Sequence, residues 1–111
     1  MTIEEYQKLT QSTAVYPWKG TLQGVIYATL GLSGEAGELC NKLKKVIRDD
    51  GSIMTAERRL QLIDELGDVL WYVAALATEL NVDLELVAKN NIAKLSNRFA
   101  KGTLHGSGDS R

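Results

Sequence analysis

Four carboxylates carry the most informative spacing in this chain: Glu35 and Glu38 in the stretch GLSGEAGEL, and Glu65 and Asp68 in DELGD. An α-helix turns about 100° per residue, so partners three positions apart lie about 60° from one another. With Glu35 at zero, Val25, Ala28, Leu32, Leu39, Leu43 and Val46 fall between roughly 20° and 80°, and Glu38 lies about 60° to the other side. With Glu65 at zero, Leu62, Leu66, Val69, Val73, Leu76 and Leu80 fall between roughly 20° and 100°, with Asp68 again about 60° to the other side. Each acid pair therefore borders a core-facing stripe, on the same flank. If the two helices pack antiparallel, as a short connection favours, all four carboxylates can converge.

Converging carboxylates repel, and partial burial strips the water that stabilises their charge. Protonation is one remedy and a bound divalent cation is the other. An all-carboxylate donor set suits a hard ion, Mg²⁺ or Mn²⁺. The competing reading is two solvated helix faces, with i, i+4 pairing such as Glu38 with Lys42. Gly31, Gly34 and Gly37 sharpen the question, because each costs a helix interior about 0.5–1 kcal/mol relative to alanine. Room for a ligand near the backbone would explain them, and so would close packing of a neighbouring helix.

A second group could hold an anion. Asn91, Lys94 and Arg98 lie on or beside the edge of the stripe Leu84, Ala88, Leu95 and Phe99. Lys94 and Arg98 are like charges at i, i+4, mildly destabilising in an isolated helix and favourable around an anion. Taken alone they read as surface charges. Lys42 and Lys45 border the first acid pair. Trp71 and Tyr72 read as core or subunit-interface residues. Trp18, beside Pro17, could stack a base or plug the end of a bundle.

The elements that must position these residues are helical, since helical periodicity dominates and strand-like alternation is nearly absent. The pattern predicts a short helix over about 2–14, a loop around 16–20 and a long helix over about 21–48. A turn at 48–52 follows. Thr55 can cap a third helix running to about Leu80, and a break at 81–83 leads into a fourth reaching about Lys101. Residues 102–111 read as a disordered tail. The expected architecture is all-α, a four-helix bundle-type subunit in a single domain over 1–101.

Composition narrows the function classes. A 111-residue chain of net charge −1 has no overall basic field, which argues against coating a nucleic-acid polymer. One cysteine, Cys40, excludes an internal disulfide and fits a reducing compartment. No signal peptide or membrane-spanning run is read, so the expected location is the cytoplasm. The only histidine, His105, lies in the tail, which excludes a di-iron bundle and any His-dependent nucleophilic set. Gly31-x-x-Gly34-x-x-Gly37 is neither a dinucleotide fingerprint nor a P-loop, and Asp49-Asp50-Gly51 lacks EF-hand spacing.

With these residues in view, the sequence resembles the MazG-like, all-α nucleoside triphosphate pyrophosphohydrolases. The family pattern E-x-x-E, spacer, E-x-x-D stands here as Glu35-Ala36-Gly37-Glu38 and Glu65-Leu66-Gly67-Asp68, in the contexts GLSGEAGELCNKLKK and DELGDVLWYV. The late segment NNIAKLSNRF resembles the family's Asn/Lys/Arg helix and supplies Asn91, Lys94 and Arg98. The resemblance covers about residues 20–101; residues 1–19 match nothing that can be carried over.

The resemblance implies that Glu35, Glu38, Glu65 and Asp68 bind Mg²⁺. It implies a nucleoside or deoxynucleoside triphosphate substrate, cleaved to the monophosphate and pyrophosphate, often to clear unwanted nucleotides. It also implies a homodimer or dimer of dimers whose pocket a partner subunit completes. Within that scheme Glu38 is assigned to orient or deprotonate the attacking water. Lys94 and Arg98, with Asn91 and then Lys42 or Lys45, are assigned to the polyphosphate. Trp18, Gln23 or Tyr27 could contact the base. The alternative is a helical regulatory or interaction module that binds nucleotide without turnover.

Overall fold

The computed structural model describes residues 1–111 and contains four helices and no strand: α1 (Ile3–Thr10), α2 (Leu22–Asp49), α3 (Ala56–Glu79) and α4 (Leu84–Ala100). The all-α expectation holds, and the three long helices begin and end within two residues of the positions read from sequence. The first helix is shorter than expected. It opens with a capping box, Thr2 Oγ1 accepting from the Glu5 amide and Glu5 Oε2 accepting from the Thr2 amide. It then stops at Thr10 because hydroxyls compete for its carbonyls. Thr10 Oγ1 donates to Gln7 O (2.6 Å), Ser12 Oγ to Leu9 O (2.8 Å) and Thr13 Oγ1 to Thr10 O (3.2 Å). The backbone tightens to i→i+3 bonds from Gln11 to Ala14 and leaves the helical path.

α2 and α3 form the frame that carries the acids. Thr21 and Thr55 cap them, each accepting from the amide three residues on. Their contacts run Gly24 with Glu79, Gly31 with Tyr72, Lys42 with Glu65 and Asp50 with Arg58. As one helix ascends the other descends, so the pair is antiparallel. The turn between them uses left-handed backbone at Gly51 and Ser52. An Arg58–Asp50 ion pair of 2.7 Å braces that turn.

α4 does not lie along this frame. It touches α3 near the α3–α4 turn, touches α1, and makes no contact with α2. Asn81 adopts φ +55 at the turn, and the Val82 amide reaches back to Ala77 O, closing α3. Gln7 then ties three helices together. Its amide group donates to Thr78 Oγ1 and Val82 O, and its carbonyl oxygen accepts from the Leu84 amide. Residues 103–111 fold back in turns over the end of α4.

The core is small and built of small residues: Ala14, Ala28, Ala74, Ala75 and Ala77, with Tyr16, Val46 and Leu84. No large side chain is fully buried. The radius of gyration is 17.0 Å, against about 13 Å for a compact domain of this length. The stripes read from sequence are therefore only partly covered. Leu66 is 57% exposed, Leu80 57% and Phe99 75%.

Candidate active site

The antiparallel register brings Glu35 from the middle of α2 against Glu65 and Asp68 from the middle of α3. One carboxylate oxygen from each lies within 4.8 Å of the others. Three hard oxygen donors that close are compatible with a single divalent cation of the Mg²⁺ or Mn²⁺ class, and nitrogen or sulfur donors are absent from the set. Glu38, one turn further along α2, is exposed and stands outside the trio, although its charge still acts on Glu35.

The electrostatics record the crowding. The Glu35 carboxyl is pushed above its ordinary 4.5, first by burial, then by the charges of Asp68 and Glu65, a hydrogen bond with Glu65, and the charge of Glu38. Lys42 offsets part of this repulsion: its Nζ lies 2.9 Å from Glu65 Oε1. That hydrogen bond is the main reason the Lys42 ammonium holds its proton more tightly than usual. Lys42, expected to reach phosphate, thus serves here as counter-ion to the acids.

Beside the acids lies an aromatic compartment. Glu35 and Asp68 share one cavity of about 320 Å³ with Thr13, Trp71 and Tyr72. A second cavity of about 310 Å³ shares those last three residues and adds Val15, Tyr16, Pro17 and Tyr27. Tyr16 stacks on Tyr27 at 4.9 Å and meets the Trp71 ring edge-on at 6.4 Å. Trp71 packs edge-on against Tyr72 at 4.9 Å, and its Nε1 donates to Thr13 Oγ1 at 2.9 Å. Burial and the neighbouring charges of Tyr27, Glu35 and Asp68 all raise the Tyr72 hydroxyl's pKa.

Trp71 packs on the core as read from sequence, and with Tyr72 it also lines this compartment. The signal was present: they follow Asp68 by three and four positions, the spacing that shares a helix face. Thr13 and Tyr16 had no such signal, because the fold alone brings their loop to this face. Gly31 is explained as well. A Cβ there would collide with the Tyr72 ring, whereas Gly34 and Gly37 face open space.

The other expected site residues are not gathered by a single chain. Asn91 and Lys94 are exposed on α4, away from α2. Arg98 is 6% exposed, and its Nη2 donates to Asp109 O at 3.0 Å, beneath the folded tail. Lys45 lies one turn before Asp49 and helps to hold that carboxyl low, after the larger effect of Arg48. Trp18 neither plugs the bundle nor joins the aromatic group; the residue is 62% exposed and its backbone is left-handed, φ +63. Gln23 is exposed, and Tyr27 is the one proposed base contact that lines the compartment.

The MazG nucleotide pyrophosphohydrolase domain matches residues 23–102, which include all four acids and the late basic helix. The chain is similar to the gene 37 protein of Mycobacterium phage L5, 46% identical over 114 aligned residues that span both chains completely. It is also similar to the Bacillus subtilis (strain 168) protein named uncharacterized protein YvdC, 38% identical over 73 residues, covering 61% of this chain and 69% of that one. No solved structure gives a significant match. No helix is long and apolar enough to cross a membrane. A domain match across both acid motifs, joined to the convergence of Glu35, Glu65 and Asp68, leads to one conclusion: this chain belongs to the MazG nucleotide pyrophosphohydrolase domain family.

Proposed function

We propose that the protein hydrolyses nucleoside or deoxynucleoside triphosphates between the α and β phosphates, releasing the monophosphate and pyrophosphate. The observation that carries this reading is the meeting of Glu35, Glu65 and Asp68 within 4.8 Å. These three, joined by Glu38, would hold Mg²⁺, or Mn²⁺ in its place; when bound, the ion supplies charge neutralisation for the phosphates and a more acidic water. The water oxygen bonds to the phosphorus on one side of the α–β bridge as the bridging P–O bond breaks, so that pyrophosphate leaves after attack at the α phosphorus or the monophosphate after attack at the β phosphorus, and the water's proton passes to a carboxylate.

The chain's own residues supply the rest. Glu38 is exposed beside the trio, free to orient that water or accept its proton. Lys42 pairs with Glu65 at 2.9 Å and so offsets part of the repulsion among the acids. The polyphosphate needs cations, and Lys94 and Arg98, with Asn91 and Lys45, are the candidates. Because α4 does not reach α2 within one chain, Lys94 and Asn91 would serve the acids of a partner subunit in a homodimer or dimer of dimers, and Arg98 would join them only once its bond to Asp109 is released. The base faces Tyr16, Tyr27, Trp71 and Tyr72, flat rings that suit stacking. The proposed role is clearance of unwanted nucleotides in the cytoplasm.

The test is a panel of standard and modified NTPs and dNTPs with Mg²⁺ or Mn²⁺, assayed separately for pyrophosphate and orthophosphate. The expected product is pyrophosphate, lost in Glu38→Gln by about 10²–10⁴-fold in kcat, the range of a general base. Orthophosphate alone would put the cleavage at another bond. Thermal stabilisation by nucleotide with neither product would favour a binding module without turnover.

A further inference from the structure

Glu79 lies on the last turn of α3, far along the helix from the acid trio. Nothing in the acid motif refers to it. Its Oε1 accepts from the Tyr16 hydroxyl at 2.5 Å, and its Oε2 accepts from the Gly20 amide at 3.0 Å. Both oxygens are thus taken by one loop. No lysine or arginine forms an ion pair with this half-buried carboxylate. A carboxylate removed from water without a cation depends on its hydrogen-bond donors, and here those donors come from the loop.

The loop in turn depends on Glu79. Trp18 and Gly20 both hold positive φ, +63 and +79, and Trp18 does so against the preference of a bulky residue. Such backbone persists only where its surroundings over-determine it. Thr21 Oγ1 donates to Trp18 O at 2.7 Å, and Glu79 fixes Gly20. Gly24 makes the approach possible, because a Cβ there would lie 2.7 Å from Glu79 Oε2 and 2.6 Å from Trp18 O. The segment so held carries Val15, Tyr16 and Pro17, one whole wall of the aromatic compartment.

We propose that Glu79 is a positioning residue for substrate selection: by latching Tyr16 and Gly20 it sets the width of the compartment that receives the nucleobase. This rests on the pyrophosphohydrolase reading for the identity of the ligand. It assigns Glu79 no contact with the reacting atoms. Loss of the latch frees Tyr16 to leave Tyr27 and opens the compartment, while Glu35, Glu65 and Asp68 stay on their helices.

The test uses the full chain with Glu79→Ala, Glu79→Gln and Tyr16→Phe, assayed with the four standard dNTPs and Mg²⁺. Glu79→Ala is expected to raise KM for the preferred base by about tenfold, the scale of one lost charged hydrogen bond, and to flatten the differences among bases. The kcat should stay within about twofold, because the acids are untouched. Glu79→Gln keeps one acceptor and should fall between. Tyr16→Phe keeps the ring and the Gly20 bond, and should weaken selectivity even if Glu79→Ala does not fold. A readout independent of turnover is acrylamide quenching of tryptophan fluorescence in a Trp18→Phe background, which leaves Trp71 as the one indole: opening the wall should expose Trp71 when Glu79→Ala or Tyr16→Phe is added. If wild type releases no pyrophosphate yet Trp71 becomes exposed and nucleoside monophosphates bind more weakly in the variants, the latch stands and the reaction assignment falls. Unchanged base discrimination in active, folded variants would overturn the latch, as would unchanged quenching.

Discussion

Glu35 faces Asp68 and Glu65 with one nearby ammonium, Lys42, already engaged by Glu65. Its carboxyl is therefore held above its ordinary 4.5, chiefly by burial and then by the neighbouring acids. A raised carboxyl pKa means that the native state holds the proton more tightly than the unfolded chain. The stabilisation is fully present below the ordinary value of 4.5 and is lost as pH rises through the raised native value. The metal-free protein should accordingly lose melting temperature between mildly acidic and neutral pH, and Glu35→Gln should lose less. At neutral pH, Mg²⁺ should raise the wild-type melting temperature, and an Asp68→Asn, Glu65→Gln variant should not respond. Calorimetry across pH, with and without metal, checks both; parallel pH profiles for wild type and Glu35→Gln would remove the carboxylate strain. The i, i+3 spacing made Glu65 and Asp68 legible as one unit in the sequence. It could not reveal that Glu38 stands apart from the trio, because a 60° difference on one helix becomes contact or separation only once the opposing helix is placed.

The glycines of α2 divide by what the helix meets. Gly31 sits under the Tyr72 ring, while a methyl group on Gly34 would have nothing within 4 Å. Gly31→Ala should therefore cost about 1–3 kcal/mol, the usual penalty of overpacking. Gly34→Ala should stabilise by about 0.5–1 kcal/mol through helix propensity. Urea unfolding of the two variants beside wild type decides this, and equal effects would mean that Tyr72 does not pack on Gly31. From sequence the three glycines were indistinguishable, since they share a spacing and differ only in what lies opposite. Helix ends were more legible. Thr21 and Thr55 cap where cap chemistry predicts, and Asn81 breaks α3 in the left-handed conformation it tolerates. α1 ended early because its run of hydroxyl residues satisfies its own carbonyls, a competition that apolar periodicity does not register.

The whole chain exposes 7824 Å², roughly 1,800 Å² more than a compact monomer of its mass. Leu22, Ile26 and Leu30 on α2 and Ile92 and Phe99 on α4 are all at least half exposed. Burying that excess in each protomer would place the assembly among obligate homodimers. Sedimentation should find a dimer or tetramer, with a melting temperature that rises with protein concentration. Ile92→Glu with Phe99→Glu should shift the protein toward monomer and lower its melting temperature. A wild type that remains monomeric at micromolar concentration would overturn this expectation, and with it the partner-subunit role given to Lys94 and Arg98.

Local chemistry was enough to determine the helical class, the caps and breaks, and the two acid pairs flanking apolar stripes, because each depends on residues within a few positions of one another. The MazG-like character was legible for the same reason: its motif lies in short helical segments. Only the tertiary structure decided that Glu35, Glu65 and Asp68 meet while Glu38 stands aside, that Lys42 serves the acids, and that Arg98 lies under the tail. It also decided that Tyr16, 63 positions from Glu79, forms a wall beside the acids. These outcomes depend on the register of α2 against α3 and on the path of the loop before α2. Both are set by packing between residues distant in sequence, which no local periodicity encodes.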